Sequence, residues 1–155
     1  MIDRSARAQL SKNLRLLISG KISNDQFEDT VPTTEDAAIQ AITEMAGLLY
    51  GDMSEHRLVG LHSIEPSDRR EALRWILFLD SDFEYRWPQI PLPGLTPMRR
   101  TRSTFARWLS KVGALSPKQA GRFLASGDHL AWPFISRAEY KHALRHPKRL
   151  AGLRS

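Results

Sequence analysis

The sequence contains no cysteine, which excludes disulfide staples, thiolate zinc sites and thiol nucleophiles. Long apolar runs are missing too: no window approaches eighteen consecutive apolar residues, so no membrane-spanning helix is expected. The opening Met1-Ile2-Asp3-Arg4 lacks the apolar stretch and cleavage site of a secretory leader. Together these absences lead us to expect a cytoplasmic protein. Also lacking are a glycine-rich phosphate loop, a dinucleotide fingerprint and a Gly-x-Ser-x-Gly elbow, which leaves nucleotide enzymes and elbow-type hydrolases without support. Catalytic groups assembled only by folding leave no such trace. No cofactor is implied, and a binding protein is the expectation rather than an enzyme.

Carboxylates are scarce in one region of the chain. Residues 98–155 hold only Asp128 and Glu139 against 13 Lys and Arg, a net +11, whereas residues 1–97 carry 10 Lys and Arg against 15 Asp and Glu, a net −5. A cationic surface concentrates polyanions and speeds their encounter; the alternative is that the acidic front and basic back pack together and cancel. The changeover falls at residues 88–97, where four prolines and a glycine forbid helix and favour an extended connector. At 155 residues the chain suits one domain spanning 1–155, with an acidic helical region (residues 1–87), a proline-rich connector (residues 88–97) and a basic helical region (residues 98–155).

Helical periodicity dominates what is present. Ala6, Leu10, Leu14 and Leu17 form the stripe of a first helix, from about Arg4 to Ser19, with Gly20 at its left-handed exit. Ser23 and Gln26 match a capping box, and Ile22 and Phe27 a hydrophobic staple, for a short second helix stopping at Pro32. Thr33 and Asp36 open a third whose stripe runs through Ile39, Ile42, Met45 and Leu49 to Gly51. Residues 52–65 read as irregular, with Leu58, Leu61 and Ile64 turned inward. Pro66 opens a helix containing Leu73-Arg-Trp75-Ile-Leu-Phe-Leu79, apolar at six of seven positions, and Asp82 to Trp87 then alternate charge with aromatic at the period of an extended segment.

Beyond the connector, Phe105, Trp108, Leu109 and Val112 make another stripe. Ser116, Pro117 and Gln119 restart a helix, and Ser136 with Glu139 opens the last one, with Ile135 stapled to Tyr140 and an end before Pro147. The expected fold class is all-α, mainly α with room for a minor β component around 57–62 and 82–87, arranged as a compact multi-helix bundle.

The stretch Leu14 to Glu28, an apolar helix followed by Gly20-Lys-Ile22-Ser23 and Phe27-Glu28, resembles the SHOCT-type helical hairpin. That resemblance implies a role in oligomerisation or attachment. Through Leu49-Tyr50-Gly-Asp52 with Glu55-His56-Arg57-Leu58, then Leu77-Phe-Leu-Asp80-Ser-Asp82-Phe-Glu84-Tyr85-Arg-Trp87-Pro88, and Trp132-Pro133-Phe134, the whole chain is similar to small uncharacterised bacterial proteins, which implies a bacterial origin and supplies no activity.

Several clusters invite a chemical reading. Asp80, Asp82 and Glu84 lie on alternate positions, as carboxylates on a hard cation do, but an EF-hand loop from Asp80 needs glycine where Tyr85 stands. We expect a solvated acidic edge or a salt-bridge partner for the basic half. His142 and His146 have the spacing of two metal ligands on one helix face, yet Ala143 replaces the glutamate of a zincin and Lys141, Arg145 and Lys148 repel a dication. A solvated basic face is the simpler expectation there, and no metal site is assigned. Residues 102–126 resemble a helix-turn-helix whose second helix presents Lys118, Gln119 and Arg122 to a major groove. Trp108, Phe123, Trp132 and Phe134 would stack on bases only if exposed.

Two functional expectations follow from the charge. One is a non-enzymatic bacterial binding protein whose basic third engages an acidic partner protein, in the manner of an immunity or antitoxin-like neutraliser, through Arg99, Arg100, Arg102, Arg107, Lys111, Lys118, Gln119 and Arg122. The other is a nucleic-acid-binding protein using the same side chains. Arg99, Arg100 and Arg102 ahead of an amphipathic helix also suit an anionic membrane surface, as a weaker third.

Overall fold

The computed structural model describes residues 1–51, 54–88, 122 and 125–147. Helix α1, Arg4–Ile18, starts where the Asp3 carboxylate accepts from the Ala6 backbone N–H at 3.0 Å. It ends in a Schellman motif: Lys21 N–H bonds Leu16 C=O, Gly20 N–H bonds Leu17 C=O, both at 2.9 Å, and Gly20 takes φ +69°. A side chain at position 20 would also clash with Val59 Cγ1, so glycine is required there on two counts. Helix α2, Asn24–Asp29, carries both reciprocal bonds of the capping box between Ser23 and Gln26. Helix α3, Ala37–Ala46, is capped by Asp36. It stops before Gly51: a tight turn at Gly47–Leu49 follows, and Tyr50 becomes extended, setting its ring edge-on to Phe27 at 6.5 Å and donating its hydroxyl to Glu28 at 2.9 Å. Those contacts outweigh one further turn of helix.

Residues 54–65 form an irregular arm held to the α1–α2 turn by an isolated β-bridge between Ser23 and Arg57 and by hydrogen bonds joining Ser23 and Asn24 to residues 54–56. No longer β element occurs among the described residues. Leu58 inserts into the core and Ile64 packs against it, but Leu61 departs from the expectation and is fully exposed. Gly60, at φ +59°, reverses the chain and leaves Leu61 at the apex of the turn Gly60–His62. Helix α4, Pro66–Leu79, buries Ala72, Trp75, Ile76, Leu77, Phe78 and Leu79 and packs along α1; Leu73 faces outward instead. Its last carbonyls are satisfied by an arginine of α1, Arg4 donating to Leu79 C=O at 2.9 Å and to Ser81 C=O. Residues 82–88 then run extended without joining a sheet, with Phe83, Tyr85 and Trp87 on the packed side and Asp82, Glu84 and Arg86 exposed.

Arg7 is the polar centre of this body. Its side chain is 1% exposed; Nε and Nη2 donate to the two oxygens of Asp36 at 2.6 and 3.1 Å, and Nη1 donates to Phe83 C=O at 2.8 Å. The guanidinium lies 5.2 Å from the Phe78 ring centre. One side chain thus joins α1, the start of α3 and the extended segment after α4. Burial pushes the Asp36 carboxyl up, but the Arg7 hydrogen bond, the Asp3 N–H, the Arg7 charge and the Ala38 N–H together hold it below its ordinary value.

The aromatic half of the core is built edge to face: Phe78 against Phe134 at 5.0 Å, Phe83 against Phe134 at 5.7 Å, and Trp75 against Trp132 at 5.9 Å. Each such pair contributes about 0.5–1.5 kcal/mol beyond its buried area. Tyr85 closes the cluster, and burial pushes its phenol up to about 12 against the pull of a hydrogen bond from Trp132. Because the unfolded chain ionises first, near pH 10, stability is expected to fall as pH rises from about 10 towards 12. An alkaline urea series checks this, and Tyr85→Phe is expected to flatten the decline. No described helix is long and apolar enough to cross a membrane.

Candidate functional site

Of the residues expected to bind, Arg99, Arg100, Arg102, Arg107, Lys111, Lys118 and Gln119 lie outside the described residues, as does nearly all of the helix-turn-helix resemblance. Arg122 is described and exposed, with its carbonyl accepting from Ser126 Oγ at 2.6 Å. The continuous described part of the basic region is its end, residues 125–147.

This segment is anchored by a closed loop. Asp128 N–H bonds Ile135 C=O at 3.0 Å, drawing the backbone so close at Gly127 that a Cβ there would clash with the same carbonyl. Asp128 accepts from Leu130 N–H at 3.0 Å and pairs with Arg137 at 2.6 Å. The loop contains a cis Trp132-Pro133 bond and drives Trp132 and Phe134, 1% and 0% exposed, into the core. Trp87 Nε1 donates to Pro133 C=O at 3.0 Å, and Arg74 Nε donates to Trp132 C=O at 2.7 Å. Burial removes Trp132 and Phe134 from any role in stacking on bases.

Helix α5, Arg137–Arg145, follows. Ser136 caps it through Glu139 N–H at 3.3 Å, while the Glu139 carboxylate reaches past Ser136 to the Ile135 N–H and also pairs with Arg86. Ala143 and Tyr140 face the body, the Tyr140 ring 5.5 Å from Phe134. The periodicity then dictates the outer face. Arg137, Lys141 and Arg145, four residues apart, run as an exposed cationic stripe. Arg137 is held by Asp128, whereas Lys141 and Arg145 have no ion-pair partner among the described residues.

Lys12, Lys21, Arg57, Arg69 and Arg70 of the front are exposed too, but three arginines of α1 are differently disposed. Arg4 pairs with Asp82 at 3.5 Å, Arg7 with Asp36 at 2.6 Å and Arg15 with Asp80 at 2.5 Å. Of the acidic run at 80–84, expected as a solvated edge or as a partner of the basic half, Asp80 and Asp82 are therefore drawn onto α1 of their own half, while Glu84 stays exposed. The physical reason is reach: the stripe that buries Leu10 and Leu14 against α4 brings Arg4, Ser11 and Arg15 alongside Asp80 and Asp82, and Ser11 Oγ donates to Asp80 at 2.8 Å. Sequence spacing of 69 residues gives no local sign of that contact.

Between the end of α4 and α5 lies a pocket of about 210 Å³ lined by Leu77, Asp80, Ser81, Asp82, Phe83, His142, Ala143, His146 and Pro147. Its Asp wall is occupied by the arginines above, and the Ser81 hydroxyl donates to Phe78 C=O at 2.6 Å, away from the histidines. His142 stands edge-on to Phe83 at 6.0 Å and 4.8 Å from the His146 ring. Among the described residues no group of three or more His, Cys, Asp or Glu is arranged to hold a metal ion. The stripe on α5, foreshadowed in the sequence only as a solvated basic face, is the feature not named among the expected contacts; its i, i+4, i+8 spacing was the available signal. Compared with protein-family models, with curated proteins and with solved structures, the chain gives no match.

Proposed function

We propose that this chain is a non-enzymatic bacterial binding protein whose basic C-terminal third engages an acidic partner protein, in the manner of an immunity or antitoxin-like neutraliser. The observation that carries this reading is the disposition of charge. Arg4, Arg7 and Arg15 of α1 are consumed in ion pairs within the body, and the exposed cations left in the front, such as Lys12 and Lys21, sit in a region of net −5, whereas Lys141 and Arg145 stand outward in a region of net +11 on a helix anchored through two buried aromatic residues. Anchoring matters because a cation on a fixed helix loses less freedom on binding than one on a loose tail. Carboxylates spaced along an acidic polypeptide are the complement of a cationic stripe with a four-residue repeat, and Arg99, Arg100, Arg102, Arg107, Lys111, Lys118 and Arg122 extend the same sign of charge. Burial of Trp132 and Phe134 removes two aromatics from base stacking, which favours the protein partner over nucleic acid.

The test compares three polyanions at low salt: fluorescein-labelled poly-glutamate, a labelled DNA duplex and phosphatidylserine vesicles. The acidic polypeptide is expected to bind, and at least as tightly as the duplex. Binding of the duplex alone, with log K falling steeply against log salt, would replace the proposal with the nucleic-acid reading. Binding of vesicles alone would replace it with the membrane reading.

A further inference from the structure

On the opposite arm of the molecule two histidines have been brought together that the charge pattern does not use. The rings of His56 and His62 lie 4.4 Å apart, tilted by 35°. They are six residues apart in sequence, and the reversal at Gly60 is what returns His62 to His56.

His56 is held unusually well for a residue on an irregular segment. Its backbone N–H donates to Asn24 Oδ1 at 2.8 Å, and its carbonyl accepts from Asn24 N–H at 3.0 Å. Asn24, itself buried, uses its amide Nδ2 to donate to Ser54 C=O at 3.2 Å. That same carbonyl accepts from His56 Nδ1 at 2.8 Å. A carbonyl cannot donate, so Nδ1 carries a proton, and in the neutral ring Nε2 keeps its lone pair. A ring N–H committed to a backbone carbonyl is the arrangement that orients metal-binding histidines and raises the basicity of the other nitrogen. His62 is exposed, and its ring has no hydrogen-bond partner among the described residues. Charge is permissive as well: Glu55, bonded to Ser23 Oγ at 2.6 Å, adjoins His56 and offsets the neighbouring Arg57.

We propose that His56 and His62 form a two-imidazole site for a borderline transition-metal ion, Cu²⁺ before Ni²⁺ or Zn²⁺ in affinity, with water completing the coordination. Imidazole pairs suit these ions, and copper stands highest in the divalent series. Asn24 acts as a positioning residue, fixing the His56 backbone and the carbonyl that sets its tautomer. The site lies on the α2 side of the body and is independent of the basic stripe.

The full chain, stripped of metal, is titrated with Cu²⁺ by calorimetry and followed by electron paramagnetic resonance. One ion is expected to bind with two nitrogen donors, and His56→Ala or His62→Ala is expected to weaken it at least about tenfold. His142→Ala combined with His146→Ala is expected to leave it unchanged, which separates this site from the other histidine pair. Both arm histidines are at least partly exposed, so the circular dichroism of the variants is expected to match the parent. For a variant that fails to fold, Cu²⁺ broadening of the His56 and His62 ring resonances in the unmutated chain decides the matter. Binding that survives loss of both arm histidines, binding abolished by the His142 and His146 replacements, or no binding below about 100 µM would each overturn the proposal.

Discussion

Replacing Arg7 with methionine is expected to cost about 3–5 kcal/mol of stability, because it leaves the Asp36 carboxylate buried without its partner. Three segments lose a common tie in the same step: α1, the N-cap of α3 and the Phe83 carbonyl. The double variant Arg7→Met with Asp36→Ser is expected to be more stable than Arg7→Met alone, since serine keeps a cap on α3 and removes the orphaned charge. Acid sensitivity follows from the same pair. Asp36 is held below its ordinary value of 3.8, so its contribution is present above that pH and is lost as pH falls through the folded value. Urea denaturation at pH 7 and across the acid range measures both effects. A cost below about 1 kcal/mol for Arg7→Met would show that the buried pair does not organise the fold.

Trp132→Ala is expected to be comparably severe, about 3–5 kcal/mol. Trp132 fills the space between Trp75 and Tyr85, donates to the Tyr85 hydroxyl at 3.3 Å, and holds the loop from which α5 projects. Its loss therefore acts locally as well as globally. Amide exchange across 137–145 is expected to rise more than exchange across 10–17, where α1 keeps its own contacts with α4. Equal acceleration in both places would mean that the C-terminal helix is not anchored through this ring. Loss of the anchor would also loosen the cationic stripe, which ties the stability of the aromatic core to the proposed binding surface.

Much of the helical framework was legible because its signals are local. Gly20 in the left-handed region, the Ser23 and Gln26 capping box, the Asp36 cap and the Pro66 start each involve residues within four positions of one another. The alternation from Asp82 to Trp87 likewise appears as one packed and one solvated side. The contacts that assemble these pieces were not legible. Arg7 and Asp36 are 29 residues apart, Arg15 and Asp80 are 65 apart, and Trp87 and Pro133 are 46 apart. Helical spacing places Arg7 on the face of Leu10, Leu14 and Leu17, but no periodicity marks the carboxylate it meets there. Leu61 shows the reverse failure: an apolar residue near two inward neighbours was expected inside, but a positive φ at Gly60 rotates it out. For the candidate site, the asymmetry of charge was visible from composition, whereas its anchoring through Trp132 and Phe134 depends on a tertiary fit. The histidine pair at 56 and 62 carries no motif, since its spacing has meaning only after the chain reverses.

Whether the outward cations of the C-terminal third are the binding contacts is tested most directly by charge reversal against a labelled poly-glutamate ligand. Three variants are compared with the parent chain at fixed low salt: Lys141→Glu with Arg145→Glu, then Arg99, Arg100 and Arg102 each changed to Glu, then Lys12→Glu with Lys21→Glu as exposed cations of the front region. The first two are expected to weaken binding about tenfold or more, and the third to leave it within about twofold. Undiminished affinity in both C-terminal variants, or an equal loss in the front variant, would contradict the assignment of recognition to the basic third.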